Sequence, residues 1–212
     1  MLKLLVLEAS DTLVVLGDCV DRGPESRQVI DELLALRERC NVVPLLGNHE
    51  EMMLSYIDGK YQPDDWLEVG GAATVRSYSA KSNPRDILPE HVEYIRTWPD
   101  YYETSSHFFV HANYEPDRRL PEQHWQSLRW RSLKTSTPGP HLSGKTAVVG
   151  HTSQKSGEVR NVGHLVCIDT YCWGGEWLTA LDTGNDHVWQ VAHNGKTSRE
   201  SRLQRPQQTT AG

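Results

Sequence analysis

Residues 12–23, TLVVLGDCVDRG, and residues 41–50, NVVPLLGNHE, decide how this chain folds. Each is a short run of β-branched and aliphatic residues stopped by glycine and then by polar side chains. Thr12 to Leu16 reads as a buried strand ended by Gly17-Asp18, and Asn41 to Leu46 as a second ended by Gly47. Between them Pro24 opens a helix with Val29, Ile30, Leu33, Leu34 and Leu36 on one broad face. Arg37 and Arg39 are expected in its last turn, where positive charge suits the helix dipole. Strand, helix and strand in about 35 residues make a βαβ unit with a right-handed crossover.

Working outward, Glu51 to Ile57 reads as helix, Gly70-Gly71 breaks the pattern, and Pro89 to Trp98 reads as another helix. Residues 51–106 are therefore expected to form a mostly helical cap. His107 to Val110 and Thr146 to Val149 read as strands, with a helix from Glu122 to Leu133 and a polar loop at 135–144 between them. His164 to Ile168, Trp177 to Leu181 and His187 to Val191 recur about every ten residues, the spacing of an antiparallel meander. The polar stretch 195–212 is expected to lack order, leaving one domain over residues 1–194.

Composition narrows the function classes. Hydrophobic residues at 37% and charged residues at 24% suit a soluble globular chain. A net charge of −6 gives no electrostatic case for nucleic acid. No apolar run approaches the ~20 residues that span a membrane. The opening residues carry no small-residue cleavage site. The four cysteines lack zinc-ligand spacing, which suits a reduced, cytoplasmic protein.

The chemistry lies in how the strands end. The four runs deliver Asp18, Asn48 with His49, His111, and His151 just past their last apolar residue. In α/β sheets, ligands collect at the carboxyl ends of strands, so these residues are expected to converge on one edge of one central mixed sheet. Asp, Asn and His supply oxygen and nitrogen donors suited to manganese, iron or zinc. A single Asp or His after a strand is usually a cap or a structural hydrogen bond. Four in the same context carry more weight.

GDCVDRG at 17–23 and GNHE at 47–50, one βαβ unit apart and followed by HAN at 111–113 and GHT at 150–152, resemble the signature of the metallo-dependent phosphatase superfamily. Within it the pattern is similar to bacterial and phage-type phosphoprotein phosphatases, over roughly residues 10 to 190. The resemblance implies an α/β, calcineurin-like four-layer sandwich of mixed sheets flanked by helices. It also implies two divalent ions, manganese first, with iron or zinc as alternatives. Asp18 would bridge the ions, and Asn48, His111 and His151 would complete the second ion's shell. His49 would be the general acid, oriented by Asp21, and Arg22 would hold phosphate. A hydroxide between the ions would be the nucleophile. Arg129 and Arg131 are candidates for a second phosphate contact. The implied activity is hydrolysis of phosphoserine, phosphothreonine or phosphotyrosine in proteins. Diadenosine tetraphosphate hydrolysis is the alternative within the superfamily.

The chain departs from the family at its start. No Gly-Asp-x-His-Gly precedes Asp18, so the fold is expected to be N-terminally incomplete and the first metal site short of ligands. Met1 to Ala9 reads as the end of the helix that would follow that motif. Either the start lies too far downstream, which the intact later motifs favour, or the chain is a short form with one metal site or none. The short form would be an impaired, phosphate-binding pseudo-phosphatase.

Overall fold

The computed structural model describes residues 1–60, 66–79 and 83–204. The chain divides into two compact units, one of Leu7–Tyr102 and one of Met1–Val6 with Glu103–Gly212.

The first unit is built on the βαβ element. β1 (Thr12–Val15) pairs in parallel with β2 (Asn41–Pro44), Val15 opposite Pro44, and α1 (Ser26–Leu36) crosses between them. The buried face of α1 is narrower than its apolar residues suggest. Ile30, Leu33 and Leu36 are buried, but Val29 is exposed. The helix stops at Leu36, so Arg37 is its cap rather than part of its last turn. The Arg37 guanidinium instead lies over the Tyr94 ring, 5.3 Å from its centroid.

After β2 the chain enters α2 (Asn48–Ile57), a π-helical turn at Leu67–Gly71, α3 (Ala72–Tyr78) and α4 (Pro89–Arg96). The helical character expected over 51–106 holds for these elements. Residues 61–65 and 80–82 of that stretch lie outside the described residues. Met53, Trp66, Val75 and Ile95 form the inner faces. Met1 to Ala9, expected to be helical, is a turn and bends, with Leu4 N–H bonded to Met1 O at 2.7 Å. A few residues without a cap or a packing partner do not repay helix nucleation.

The second unit contains four strands of a five-stranded mixed sheet, ordered β3 (Tyr101–Glu103, where the division between the units falls), β4 (His107–Val110), β5 (Thr146–Val149), β7 (Leu165–Cys167), β6 (Arg160–Asn161). β4, β5 and β7 are parallel. Their continuous apolar runs match burial on both faces. Leu165–Cys167 therefore belongs to this sheet rather than to a meander. The meander is completed from the other side, by β8 (Trp177–Asp182), β9 (His187–Ala192) and β10 (Ser198–Arg202). The helix expected over Glu122–Leu133 shrinks to α5, Trp125–Trp130, and Glu122 instead ends a separate short turn, Leu120–Glu122.

Two expectations are corrected. The four site-bearing strands do not share one sheet. β1 and β2 pair only with each other among the described residues, while β4 and β5 are neighbours in the five-stranded sheet. Part of the tail is also ordered, since Ser198–Arg202 pairs antiparallel with β9. Its polarity was misleading because one arginine ties it down. Arg199 lies 4.4 Å from the Trp177 ring centroid and donates to Gln190 Oε1, Gly157 O and Glu158 Oε1 at 2.6, 3.0 and 2.9 Å. Residues 205–212 lie outside the described residues.

Arg199→Ala is expected to cost about 1–2 kcal/mol, lowering the melting temperature by roughly 2–8 °C. A shift under about 1 °C, on the same scale, would show that β10 adds nothing to the folded unit.

Candidate functional site

β1 and β2 run in parallel, so their following loops leave the sheet side by side. The first loop is strained. Asp18, Asp21 and Arg22 have φ of 55°, 73° and 61°, a region that costs L-residues about 1–2 kcal/mol each. Such strain persists only where the surroundings over-determine it, and it concentrates at functional sites.

Glu50 supplies much of that determination. It is fully buried. Its Oε2 accepts the N–H groups of Asp18 and Gly47, each at 3.0 Å, and its Oε1 those of Cys19 at 2.6 Å and Val20 at 3.3 Å. One carboxylate thus gathers three successive loop amides and the amide that begins α2. The bond to Gly47 is half of a capping box, made from three residues into the helix. Gly47 itself leaves no room for a side chain. A Cβ there would sit 2.7 Å from both Asp18 Oδ1 and Glu50 Oε2. Asp18 Oδ1 accepts the His49 N–H at 3.4 Å, which sets its carboxylate at the positive end of α2.

The pairing of Asp21 with His49 is present. Asp21 Oδ2 lies 2.7 Å from His49 Nδ1, both side chains almost wholly buried. A carboxylate only accepts, so Nδ1 carries the proton and Nε2 is left to act. Burial works against a charged ring. The hydrogen bond that His49 donates to Asp21 and the charges of Asp18 and Asp21 outweigh burial and Arg22, so the histidine's proton affinity is raised. Asp21 also receives the Trp66 indole N–H, at 2.9 Å to Oδ2 and 3.2 Å to Oδ1, and the Thr74 hydroxyl at 2.7 Å. Arg22 N–H bonds to Gly70 O at 3.2 Å. Gly70 has φ 135°, and a Cβ there would approach Arg22 N to 2.9 Å.

In the second unit, Val110 lies opposite Val149 in register, so the residues that follow them emerge together. His111 Nε2 and His151 Nδ1 are 3.2 Å apart. Two imidazole nitrogens bound to one ion at ~2.0–2.2 Å are separated by about 3.0–3.4 Å, so this pair fits joint ligation of a metal. His151 also has positive φ, 61°. The residues flanking these histidines are structural. Asn113 donates to Ser136 O at 2.9 Å, and Thr152 Oγ1 accepts Leu133 N–H at 2.9 Å. Arg129 stacks on Trp125, 5.7 Å from its centroid, and Arg131 lies 3.6 Å from Glu115 Oε1.

Burial, then the Glu50 and Asp18 carboxylates, push the Cys19 thiol well above its usual range, and burial pushes Cys167 up to about 12.

The profile of the calcineurin-like phosphoesterases matches residues 1–166. The chain belongs to that family. Its fold is that of the family, and calcineurin-like phosphoesterases imply divalent metal ions. Over 104 residues the chain is 33% identical to a "Bis(5'-nucleosyl)-tetraphosphatase, symmetrical" of Janthinobacterium sp. (strain Marseille), covering 49% of this chain and 34% of the relative. The chain thus spans about a third of that relative's length. A solved candidate diadenosine tetraphosphatase superposes with a TM-score of 0.61 at 16% identity, covering 93% of this chain and 82% of that one. A cold-active protein tyrosine phosphatase gives 0.60 at 17%, covering 93% and 69%. These two likenesses speak to fold alone.

The sequence reading missed Glu50, Trp66, Gly70 and Thr74. For Glu50 a signal existed, since an acidic residue three places after Gly47 is capping-box spacing. The others belong to a stretch with no pattern beyond a pair of glycines. Glu50→Gln is expected to destabilise the chain by about 2–4 kcal/mol, because an amide NH₂ would face N–H donors in a buried site. Denaturant unfolding measures this, and an unchanged midpoint would mean that Glu50 does not hold the loop.

Proposed function

We propose that this chain hydrolyses dinucleoside tetraphosphates. The observation that carries the substrate class is that sequences similar to it in the motif-bearing region are bis(5'-nucleosyl)-tetraphosphatases. The protein-phosphatase reading has the same catalytic residues, and its support is a likeness of fold. Water adds at phosphorus, a P–O–P bridge breaks, and symmetrical cleavage gives two nucleoside diphosphates. His49, its Nδ1 committed to Asp21, gives the Nε2 proton to the departing phosphate oxygen. Arg22 holds phosphate oxygens with its planar fork.

Asp18, Asn48, His111 and His151 are the proposed metal ligands, a mixed oxygen and nitrogen set suited to manganese, iron or zinc. Bound there, a divalent ion supplies Lewis-acid stabilisation and a more acidic water near neutral pH. The 212 residues contain no Gly-Asp-x-His-Gly segment. The ligands proposed within them serve one ion, whereas two-metal sites clamp both the attacking and leaving oxygens.

Diadenosine tetraphosphate and manganese incubated with the chain should yield ADP on anion-exchange chromatography. His49→Ala should lower kcat by about 10²–10⁴-fold with little change in KM. Phosphate release from a phosphoserine peptide with no ADP formed would overturn the substrate reading and favour a protein phosphatase. Elemental analysis should find about one metal per chain, rising to about two, with faster turnover, when a Gly-Asp-x-His-Gly segment is joined ahead of Met1. Two bound metals and equal turnover without that segment would contradict this ligand set.

A further inference from the structure

We propose that Trp66 and Thr74 are positioning residues for His49, acting through the Asp21 carboxylate. The inference rests on the reading of His49 as the general acid. A carboxylate turns easily about its last side-chain bond, where the torsion is broad rather than staggered. Asp21 bonded to His49 alone could rotate and take the imidazole with it. Two donors from the 66–74 segment remove that freedom. Trp66 Nε1–H reaches both oxygens, at 2.9 and 3.2 Å, and the Thr74 hydroxyl fixes Oδ1 at 2.7 Å, which leaves Oδ2 facing His49 Nδ1.

Thr74 has a second grip. Its Oγ1 accepts the Asp21 N–H at 2.7 Å and lies 3.2 Å from Ser26 Oγ. Its one proton is spent on Asp21 Oδ1, so Ser26 must be the donor to it. The backbone and side chain of a residue at φ 73° are thus held by the same hydroxyl.

The donors are themselves fixed. Trp66 is fully buried, its ring 5.0 Å from that of Tyr56 between centroids and backed by Gly71. α3, which carries Thr74, is tied to α1 where Ser77 Oγ accepts the Arg27 N–H at 3.1 Å. Its last residue, Tyr78, bonds to His91 Nδ1 at 2.8 Å, and His91 Nε2 lies 3.1 Å from Asp31. A buried tryptophan, threonine and aspartate meeting with every polar atom used is more than packing requires, because an apolar trio would fill the space at less desolvation cost.

The test is a leaving-group series. A misoriented acid hurts substrates that need protonation and spares those that do not. His49→Ala calibrates it, and should slow an alkyl phosphate far more than p-nitrophenyl phosphate. If it slows both equally, the general-acid reading fails, whatever Trp66 and Thr74 do. Given that calibration, Thr74→Val and Trp66→Phe should each cut kcat for the alkyl phosphate by about 10–100-fold, part of what general acid catalysis supplies. For p-nitrophenyl phosphate the loss should be under about threefold, since little protonation is needed there. KM should hold, and Thr74→Ser should restore the rate. A proton NMR readout needs no turnover. The His49 Nδ1 proton should give a low-field resonance in the parent chain and Thr74→Ser, and should be lost in Thr74→Val and Trp66→Phe. Equal losses on both substrates, or an unmoved resonance in Trp66→Phe, would show that the pair only packs and would overturn the inference.

Discussion

The buried carboxylate of Glu50 is the interaction on which the rest of the candidate site depends. Three consecutive residues of the loop after β1, Asp18 to Val20, point their amides at it, and a fourth amide comes from the start of α2. Bonds of this kind, with a charged acceptor, are worth roughly twice neutral ones. They outweigh a loop in which Asp18, Asp21 and Arg22 occupy the left-handed region. The same contact joins the two loops that end β1 and β2. It therefore fixes Asp18 through its own backbone amide, and Asn48 through the amide of the preceding Gly47.

From that fixed loop the second constraint follows. Asp21 is presented to His49, and the 66–74 segment closes over it with an indole and a hydroxyl. The π-helical turn at Leu67–Gly71, with Gly70 at φ 135°, brings a carbonyl within reach of Arg22. Such turns cost regular hydrogen bonding and are found disproportionately at functional sites. In the other unit the register of β4 with β5 does the equivalent work, setting two imidazole nitrogens at a metal-ligand spacing. No helix of the described residues is long and apolar enough to cross a membrane.

Much of this was legible from the residues. Glycine-terminated apolar strands and the GDCVDRG and GNHE motifs gave the βαβ element, the family and the partnership of Asp21 with His49. What escaped was tertiary. Burial on one side or both decides whether a strand such as Leu165–Cys167 joins a sheet or a meander, and strand spacing does not carry that information. The single sheet expected from four similar strand ends is two sheets, because period and termination do not specify partners. β10 was hidden by its polarity, since its anchor is Arg199 on Trp177, a contact between residues far apart in sequence. Trp66 and Thr74 act on Asp21 across 45 and 53 positions, in a stretch whose only local signal is a pair of glycines.

The chemistry proposed for the site turns on His111 and His151 holding a divalent ion together. Pulsed electron paramagnetic resonance of the manganese-loaded chain reads this out, because directly bound imidazole nitrogens couple to the electron spin. Coupling from two histidines is expected, one lost in His111→Gln and the other in His151→Gln. Manganese bound without nitrogen coupling, or coupling that survives both histidine substitutions, would contradict it.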